Sequence, residues 1–375
     1  MVDDVAHIQE CGHKSIEDNV SLVAKFEHDK LELNRKKCHK IHIGNNEQWC
    51  PKIKAHESDI ERVADKKYVG AYIMENGKHT KTIKSRVSKC IKLIAEITSM
   101  LKILCLGKFH FETAVLLREA MVMSVLLLNA ETWLRLPNKE IKMLENVDEM
   151  YMRKILEVPA KTPIAGLYIT LGLIPIRFLL KKKRVMFLHY LLNSDPNSLV
   201  SKILMAQVDQ PAKDDWCNVV EEDMDQLGMK GMSIEDFQET SKEAMKTIVK
   251  EATMATACRF LKGEASRKSK LKYVKDVNLE MDSILMTGIL GIRLKKLTVK
   301  VRMRMLTEFK ANFGIHASCQ ICKEAEDTQE HGIFECDEMK KRIPDLTSTP
   351  SMRTSFLMTA PWSGRRYYSV TSLSG

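Results

Sequence analysis

Pro175-Ile176-Arg177-Phe178-Leu179-Leu180-Lys181-Lys182-Lys183-Arg184-Val185-Met186-Phe187-Leu188-His189-Tyr190-Leu191 decides the fold class of this chain. Ile176, Leu179, Leu180, Phe187 and Leu191 recur at helical spacing, so the stretch forms a long amphipathic helix, entered through Pro175 and ended near Asp195-Pro196. The same periodicity spreads on both sides. Ile83, Val87, Cys90, Ile94 and Ile97 make one stripe, and Gly107 breaks it. Phe109 to Trp133 and Lys139 to Leu156 carry two more helices around Leu136-Pro137-Asn138, and Ile164 to Leu171 a short one. Further helices are expected at 197–209, 214–228, 233–262, 276–286 and 293–310.

Strand signals are confined to the first eighty residues. Ile41 and Ile43 alternate around His42 before Gly44-Asn45, and Tyr68 to Ile73 is a second strand candidate stopped by Glu75-Asn76-Gly77, where Asn-Gly signals a turn. A helix near Ile16, Val20 and Val23 precedes them. The expected class is therefore α+β and mostly helical. No internal repeat or low-complexity tract is present, and the Ser/Thr/Pro-rich stretch from Pro344 is expected to be a flexible tail.

Hydrophobic residues make up 44% of the 375 and charged residues 29%, a balance that folds. The net charge of +10 permits phosphate or anionic-lipid partners without choosing between them. Its distribution is uneven: Leu261 to Lys310 holds 13 Lys/Arg against 5 Asp/Glu, whereas Asp214 to Glu243 holds 10 acids against Lys230 and Lys242. The apolar run Ala120 to Ala130, interrupted by Ser124 and Asn129, is too short for a bilayer and reads as a buried helix. Met1-Val2-Asp3-Asp4 has acid where a secretory signal needs base, so the expectation is an intracellular protein, nuclear or cytoplasmic, with ten reduced cysteines rather than disulfides.

The most specific motif is Cys319-Gln320-Ile321-Cys322, followed by His331 and Cys336. Two thiols two residues apart fit one tight knuckle, with the His and last Cys expected on a following short helix. Three thiolates and one imidazole fill a tetrahedral zinc and leave no open position, which points to a structural ion. Against this stands the plainer alternative of incidental reduced thiols, and His316 is a spare donor. Lys181, Lys182 and Arg184 form one basic run and Arg293, Lys295, Lys296, Lys300, Arg302 and Arg304 another. The ordinary reading of such runs is a solvated face, and the functional one is salt-sensitive contact to a phosphate backbone. Trp133 and Trp216 do not interleave with these cations, so base stacking is not indicated. His110 and His189 lie on helices and read as packing or surface residues. No phosphate-binding Gly loop or Gly-x-Ser-x-Gly elbow occurs, and Cys11-Gly12-His13 lacks the context of a nucleophile and base. Asp3-Asp4 is weak on its own, but Val2 and Val5 flank it as on a strand-turn-strand, the setting in which paired carboxylates hold Mg²⁺ for phosphoryl transfer.

In order, these pieces resemble the C-terminal part of a non-LTR (LINE-like) retrotransposon reverse transcriptase, an RNA-directed DNA polymerase. Met1-Val2-Asp3-Asp4-Val5 resembles the palm turn with its catalytic aspartates, and Asn34 to Cys38 the next palm segment. Lys67-Tyr68-Val69-Gly70 resembles the Tyr-Leu-Gly primer-grip hairpin, with Val69 in place of Leu. Phe111 to Arg118, Asn129 to Trp133, Leu144 to Asp148 and Gly172 to Arg177 resemble thumb and post-thumb helices, and Asp327 to His331 with the cysteines the closing zinc knuckle. The resemblance implies a palm remnant over 1–78, a helical thumb over 79–160, a helical connection with a basic C-terminal part over 161–312, the knuckle over 313–342 and a tail over 343–375. It further implies that Asp3 and Asp4 would take Mg²⁺ only if complemented by a palm strand carrying the first aspartate, with Lys37 a distant phosphate-side candidate. The expectation is a truncated enzyme that does not polymerise alone. It would carry structural zinc and bind RNA or DNA, with no membrane and no small-molecule substrate. The competing expectation is an inert relic or a helical protein-interaction module that binds no nucleic acid.

Overall fold

The computed structural model describes residues 25, 38–43, 54–55, 58–104, 111–156, 158, 160–210, 215–268, 271, 279, 318–319, 322–326, 331 and 335–342. The expected helix at 293–310 and the tail lie outside these residues, as does all but Leu279 of the helix expected at 276–286 and all but helical Lys25 of the one expected from Ile16 to about Leu31. Two compact units divide the chain, Met1–Arg86 and Val87–Gly375.

In the first unit the strands are short. β1 (His39–Lys40) pairs in parallel with β4 (Glu61–Arg62), and β2 (Lys54–Ala55) pairs antiparallel with β3 (Ser58–Asp59). The strand expected at Ile41 and Ile43 is displaced to His39–Lys40. The ladder ends where Val63 N donates to Lys40 O at 3.0 Å, and Ile43 is exposed, so burial does not enforce the alternation that suggested a strand there. The continuous strand expected over Tyr68 to Ile73 is instead a tight hairpin of β5 (Asp65–Tyr68) and β6 (Ala71–Met74), with Tyr68 opposite Ala71. Val69 (φ 42°) and Gly70 (φ 81°) both lie in the left-handed region, as a two-residue type I′ turn demands. The hairpin is clamped onto the start of α1 (Thr80–Leu104): the Thr82 hydroxyl accepts from Tyr72 N at 2.8 Å, while the Lys81 ammonium pairs with Asp65 and lies 4.9 Å from the centre of the Tyr72 ring.

The second unit is helical. α1 continues into it with Cys90, Ile94, Ile97 and Leu101 buried. The helix expected from Phe109 to Trp133 is broken into α2 (Phe111–Leu117), a π-helical stretch Arg118–Met123, α3 (Ser124–Leu126) and, beyond left-handed Asn129, a 3₁₀ turn Ala130–Thr132. A π-bulge shifts the phase of a helix, and this one begins at Arg118, whose guanidinium is buried against α4 (Asn138–Leu156). There Arg118 Nε and Nη2 donate to the two carboxylate oxygens of Asp148 at 2.6 and 2.7 Å. The hydroxyl of Tyr168, on α5 (Ile164–Leu171), donates to the same carboxylate at 3.0 Å. Burial first, and then the Asp148 charge, hold that hydroxyl well above its ordinary pKa, so it stays a donor.

α5 ends at Gly172 (φ 66°), with Gly172 N donating to Ile169 O and Leu173 N to Tyr168 O, a Schellman-type close that turns the chain into α6 (Ile176–Leu192). α6 is the deciding helix of the sequence and the hub of this unit: α4, α7 (Leu199–Asp209), α8 (Trp216–Leu227), α9 (Ile234–Glu239) and α10 (Lys242–Ser266) all pack on it. The helix expected over 233–262 is therefore two, interrupted at Thr240, because Ser241 caps α10 by accepting from Ala244 N at 3.3 Å. Thr240 O is taken by the His189 ring at 2.9 Å, which makes His189 a packing residue as expected. The buried positions of α10, Met245, Val249, Thr253, Ala257, Leu261 and Ala265, step by four. A four-residue step advances about 40° around a 3.6-residue helix, so α10 turns its buried stripe from one neighbour to the next along its length. Every described cysteine is a free thiol, and no single described helix is long and apolar enough to cross a membrane.

Candidate metal centre

Four side chains from the C-terminal part converge. The donor atoms of Cys319, Cys322, His331 and Cys336 all lie within 4.8 Å of one another. Cys319 and Cys336 Sγ are 4.0 Å apart, and Cys322 Sγ is 3.3 Å from His331 Nε2. With Zn–S near 2.3 Å and Zn–N near 2.0–2.1 Å, a tetrahedron separates its sulfurs by about 3.8 Å and sulfur from nitrogen by about 3.5 Å. These two pairs lie within a few tenths of an ångström of those values, and with every other pair inside 4.8 Å one ion is accommodated by closing the set by at most about 1 Å.

The local backbone explains the convergence. Ser318 and Glu326 form an antiparallel bridge that closes a loop, inside which Cys319 N donates to Ala325 O and Lys323 N to Cys319 O at 2.8 Å. Lys323 takes a left-handed conformation (φ 66°), which reverses the chain directly after the second thiol. The Cys322 thiol is pulled down to about 6. The N–H groups of Glu324 and Ala325 are the main cause, and His331 and Cys319 add to it against desolvation. A thiolate at neutral pH is what a zinc ligand has to be. Cys319 and Cys336 are buried, so this half of the cluster is dry. His331 Nδ1, the nitrogen away from Cys322, lies 4.0 Å from the Glu335 carboxylate, beyond hydrogen-bond distance.

The expected short helix holds one of the last two donors: His331, like Glu335, is π-helical, and Cys336 N donates to His331 O at 2.7 Å, but Cys336 itself stands between that turn and α11 (Asp337–Arg342). His316, the spare donor, lies outside the described residues, and the four-donor set closes without it.

The basic run on α6 is largely consumed inside the protein. Arg184 is buried and its Nε donates to Asp223 at 2.6 Å, while Lys181 Nζ reaches the same carboxylate at 2.9 Å. Those two cations therefore hold α8 onto α6, which corrects the expectation that Arg184 and Lys181 contact phosphate. Arg184 Nη1 has no partner of its own, a cost that Asp223 offsets. Lys183 pairs with Glu131 at 3.3 Å. Lys182 alone of the run points to other cations, with burial, Lys246 and Lys250 holding its ammonium below the usual range. Sequence reading missed these acidic partners because Asp223 and Glu131 lie 39 and 52 residues from the cations they meet. Tyr68, Val69 and Gly70 sit at the tip of the β5–β6 hairpin, with Val69 exposed. Asp3, Asp4 and Lys37, with Arg293, Lys295, Lys296, Lys300, Arg302 and Arg304, lie outside the described residues. No protein-family model, curated protein or solved structure matches the chain, so its site rests on the geometry of Cys319, Cys322, His331 and Cys336.

Proposed function

We propose that this chain is a nucleic-acid-binding portion of a retrotransposon-type reverse transcriptase, stabilised near its C-terminal end by one structural zinc ion. The observation that carries the reading is the convergence of Cys319, Cys322, His331 and Cys336 into a closed donor set at the position where the resemblance calls for a terminal knuckle. The fold contributes only its coarse class to this reading, mostly helical with a small hairpin at Tyr68-Val69-Gly70, and the thumb, connection and palm remnant rest on the sequence resemblance. Zinc here supplies structure: it fixes the loop from Cys319 to Cys322 against the segment from His331 to Cys336 and leaves no position for substrate. Polymerisation belongs to the family and is not assigned to this chain by itself.

The test has three arms. Metal analysis of the purified protein is expected to give about one equivalent of zinc, and a content below about half, or one unchanged in Cys319→Ser, would remove the knuckle. Filter binding with RNA and duplex DNA is expected to weaken steeply as salt rises, and no binding, or binding indifferent to salt, favours a helical protein-interaction module instead. Primer extension with Mg²⁺ is expected to be blank, and synthesis abolished by Asp3→Ala would show that the chain is an active polymerase.

A further inference from the structure

Lys242, Lys246 and Lys250 follow one another at every fourth position of α10, all three exposed, over a rise of about 12 Å. Buried Met245 and Val249 fix this part of the helix, so the lysine row stands beside an anchored stripe. Like charges at this spacing disfavour a helix. Glu243, the acid of the same turn, sits where the N-terminal dipole welcomes it. α6 packs along α10, and Lys182 reaches the seam from the α6 side, half-buried, with Lys246 and Lys250 as the nearest like charges and Glu119 as the opposing one. Glu119 is itself engaged by Arg118. Among the described residues no ion pair takes up Lys182, Lys242 or Lys246, in contrast to Lys181, Lys183 and Arg184 on the same turn of α6.

We infer that the α6–α10 seam, through Lys182, Lys242, Lys246 and Lys250, is a contact site for the phosphodiester backbone of a nucleic acid. The inference rests on the reading that the chain binds nucleic acid; it keeps Lys182 of the α6 run and joins to it Lys242, Lys246 and Lys250, which the basic runs of the sequence do not single out. A polymer with a regularly repeated charge matches a row of ammoniums one helical turn apart, whereas a single small anion meets only part of it. Lysine, a compact point charge without a bidentate fork, gives attraction without base specificity, so the site tracks backbone rather than sequence.

The experiment is a fluorescence-anisotropy titration of the full chain with a labelled single-stranded RNA of about 20 nucleotides and a duplex DNA of equal length, across about 50 to 300 mM salt. Lys246→Gln/Lys250→Gln is compared with Lys202→Gln/Lys230→Gln, an exposed pair placed elsewhere. Glutamine keeps the helix and removes only the charge. Losing two phosphate contacts is expected to flatten the log-affinity against log-salt slope by about 1.4 for the RNA and about 1.8 for the duplex, leaving the control at the parent slope. A parent chain that binds with the expected salt dependence while Lys246→Gln/Lys250→Gln matches it, or while the control pair loses as much, overturns the seam and leaves the nucleic-acid reading standing. A parent chain that binds neither nucleic acid overturns both.

Discussion

Asp148→Asn removes one negative charge from the interior while keeping the shape of the side chain, and its cost follows from the contacts. Asp148 is fully buried and accepts two hydrogen bonds from Arg118, itself 1% exposed, and one from Tyr168. The amide keeps one acceptor but turns an NH₂ group toward guanidinium donors, so Arg118 retains only Glu119 as a counter-charge. Removing one partner of a buried ion pair costs about 3–5 kcal/mol, because the remaining charge stays desolvated. Charge-assisted hydrogen bonds at about 1.5–3 kcal/mol each reach the same range when two are lost. On a domain stable by about 5–15 kcal/mol this is a large share, and it lowers Tm by about 10 °C for a unit of this size. Urea titration and thermal melting followed by far-ultraviolet circular dichroism would read it. Arg118→Met/Asp148→Leu with Tyr168→Phe, which removes the orphaned hydroxyl, is expected to recover most of the loss, since an apolar replacement of both ions leaves nothing charged to solvate. A loss below about 1 kcal/mol in Asp148→Asn would refute the assignment of this pair as the pin between the π-helical stretch, α4 and α5.

Asp223→Ala strands Arg184 and Lys181 together at the α6–α8 contact and should cost about 3–5 kcal/mol in the same melts, more than the exposed pair partner Glu222→Ala, which should cost under about 1 kcal/mol. Val69→Asn relieves a β-branched residue held at φ 42° and should stabilise the hairpin unit by about 1 kcal/mol, checked by local hydrogen exchange at β5 and β6. The depressed Cys322 thiol sets a direction for pH. Its folded value of about 6 lies below the ordinary 9.0, so the thiolate's contribution is complete above that ordinary value and is lost as pH falls through 6. Zinc affinity of the metal-free protein should therefore be steady near pH 7 and fall below about 6 by up to about tenfold per pH unit from this thiol, and an affinity unchanged down to about pH 5 would contradict the assigned ligand.

Helix positions were legible wherever burial and period agreed. Ile164–Leu171 and Ile176–Leu192 fall where the apolar spacing put them, because one face of each is enclosed by several neighbours. The sequence misled where a single residue carried the geometry. Val69 is a poor resident of a left-handed turn, so periodicity reads Tyr68 to Ile73 as one strand with its turn at Asn76-Gly77, whereas the chain reverses at Val69-Gly70, where the resemblance suggests a hairpin. The π-helical stretch beginning at Arg118 was hidden because Asp148, the carboxylate that its first side chain meets, is 30 residues away. The cysteine cluster was legible because metal spacing is a local code. What spacing could not reveal was that Lys323 turns the loop and that Glu335 stands behind His331.

The charge pattern holds the longer lesson. The acidic stretch Asp214 to Glu243 and the basic run Lys181 to Arg184 look like separate surfaces in sequence, yet Asp223 binds Lys181 and Arg184 and Glu222 binds Arg135. Part of the segregation is thus spent on joining α8 to the rest of the helical unit. Two arginines went inward to meet a carboxylate, Arg118 with Asp148 and Arg184 with Asp223, while Arg177, paired with Glu145 at 2.7 Å, stays partly exposed. Lysines such as Lys242, Lys246 and Lys250 stayed outside. The two populations must respond differently to ions. Desolvated pairs are weakly screened, whereas phosphate contacts release counterions in proportion to their number. Raising salt from about 50 to 300 mM should therefore leave Tm within a few degrees while nucleic-acid affinity falls by orders of magnitude. A Tm that dropped in parallel with affinity would mean that the internal pairs are solvated after all, and that Asp223 does not hold α8 to α6.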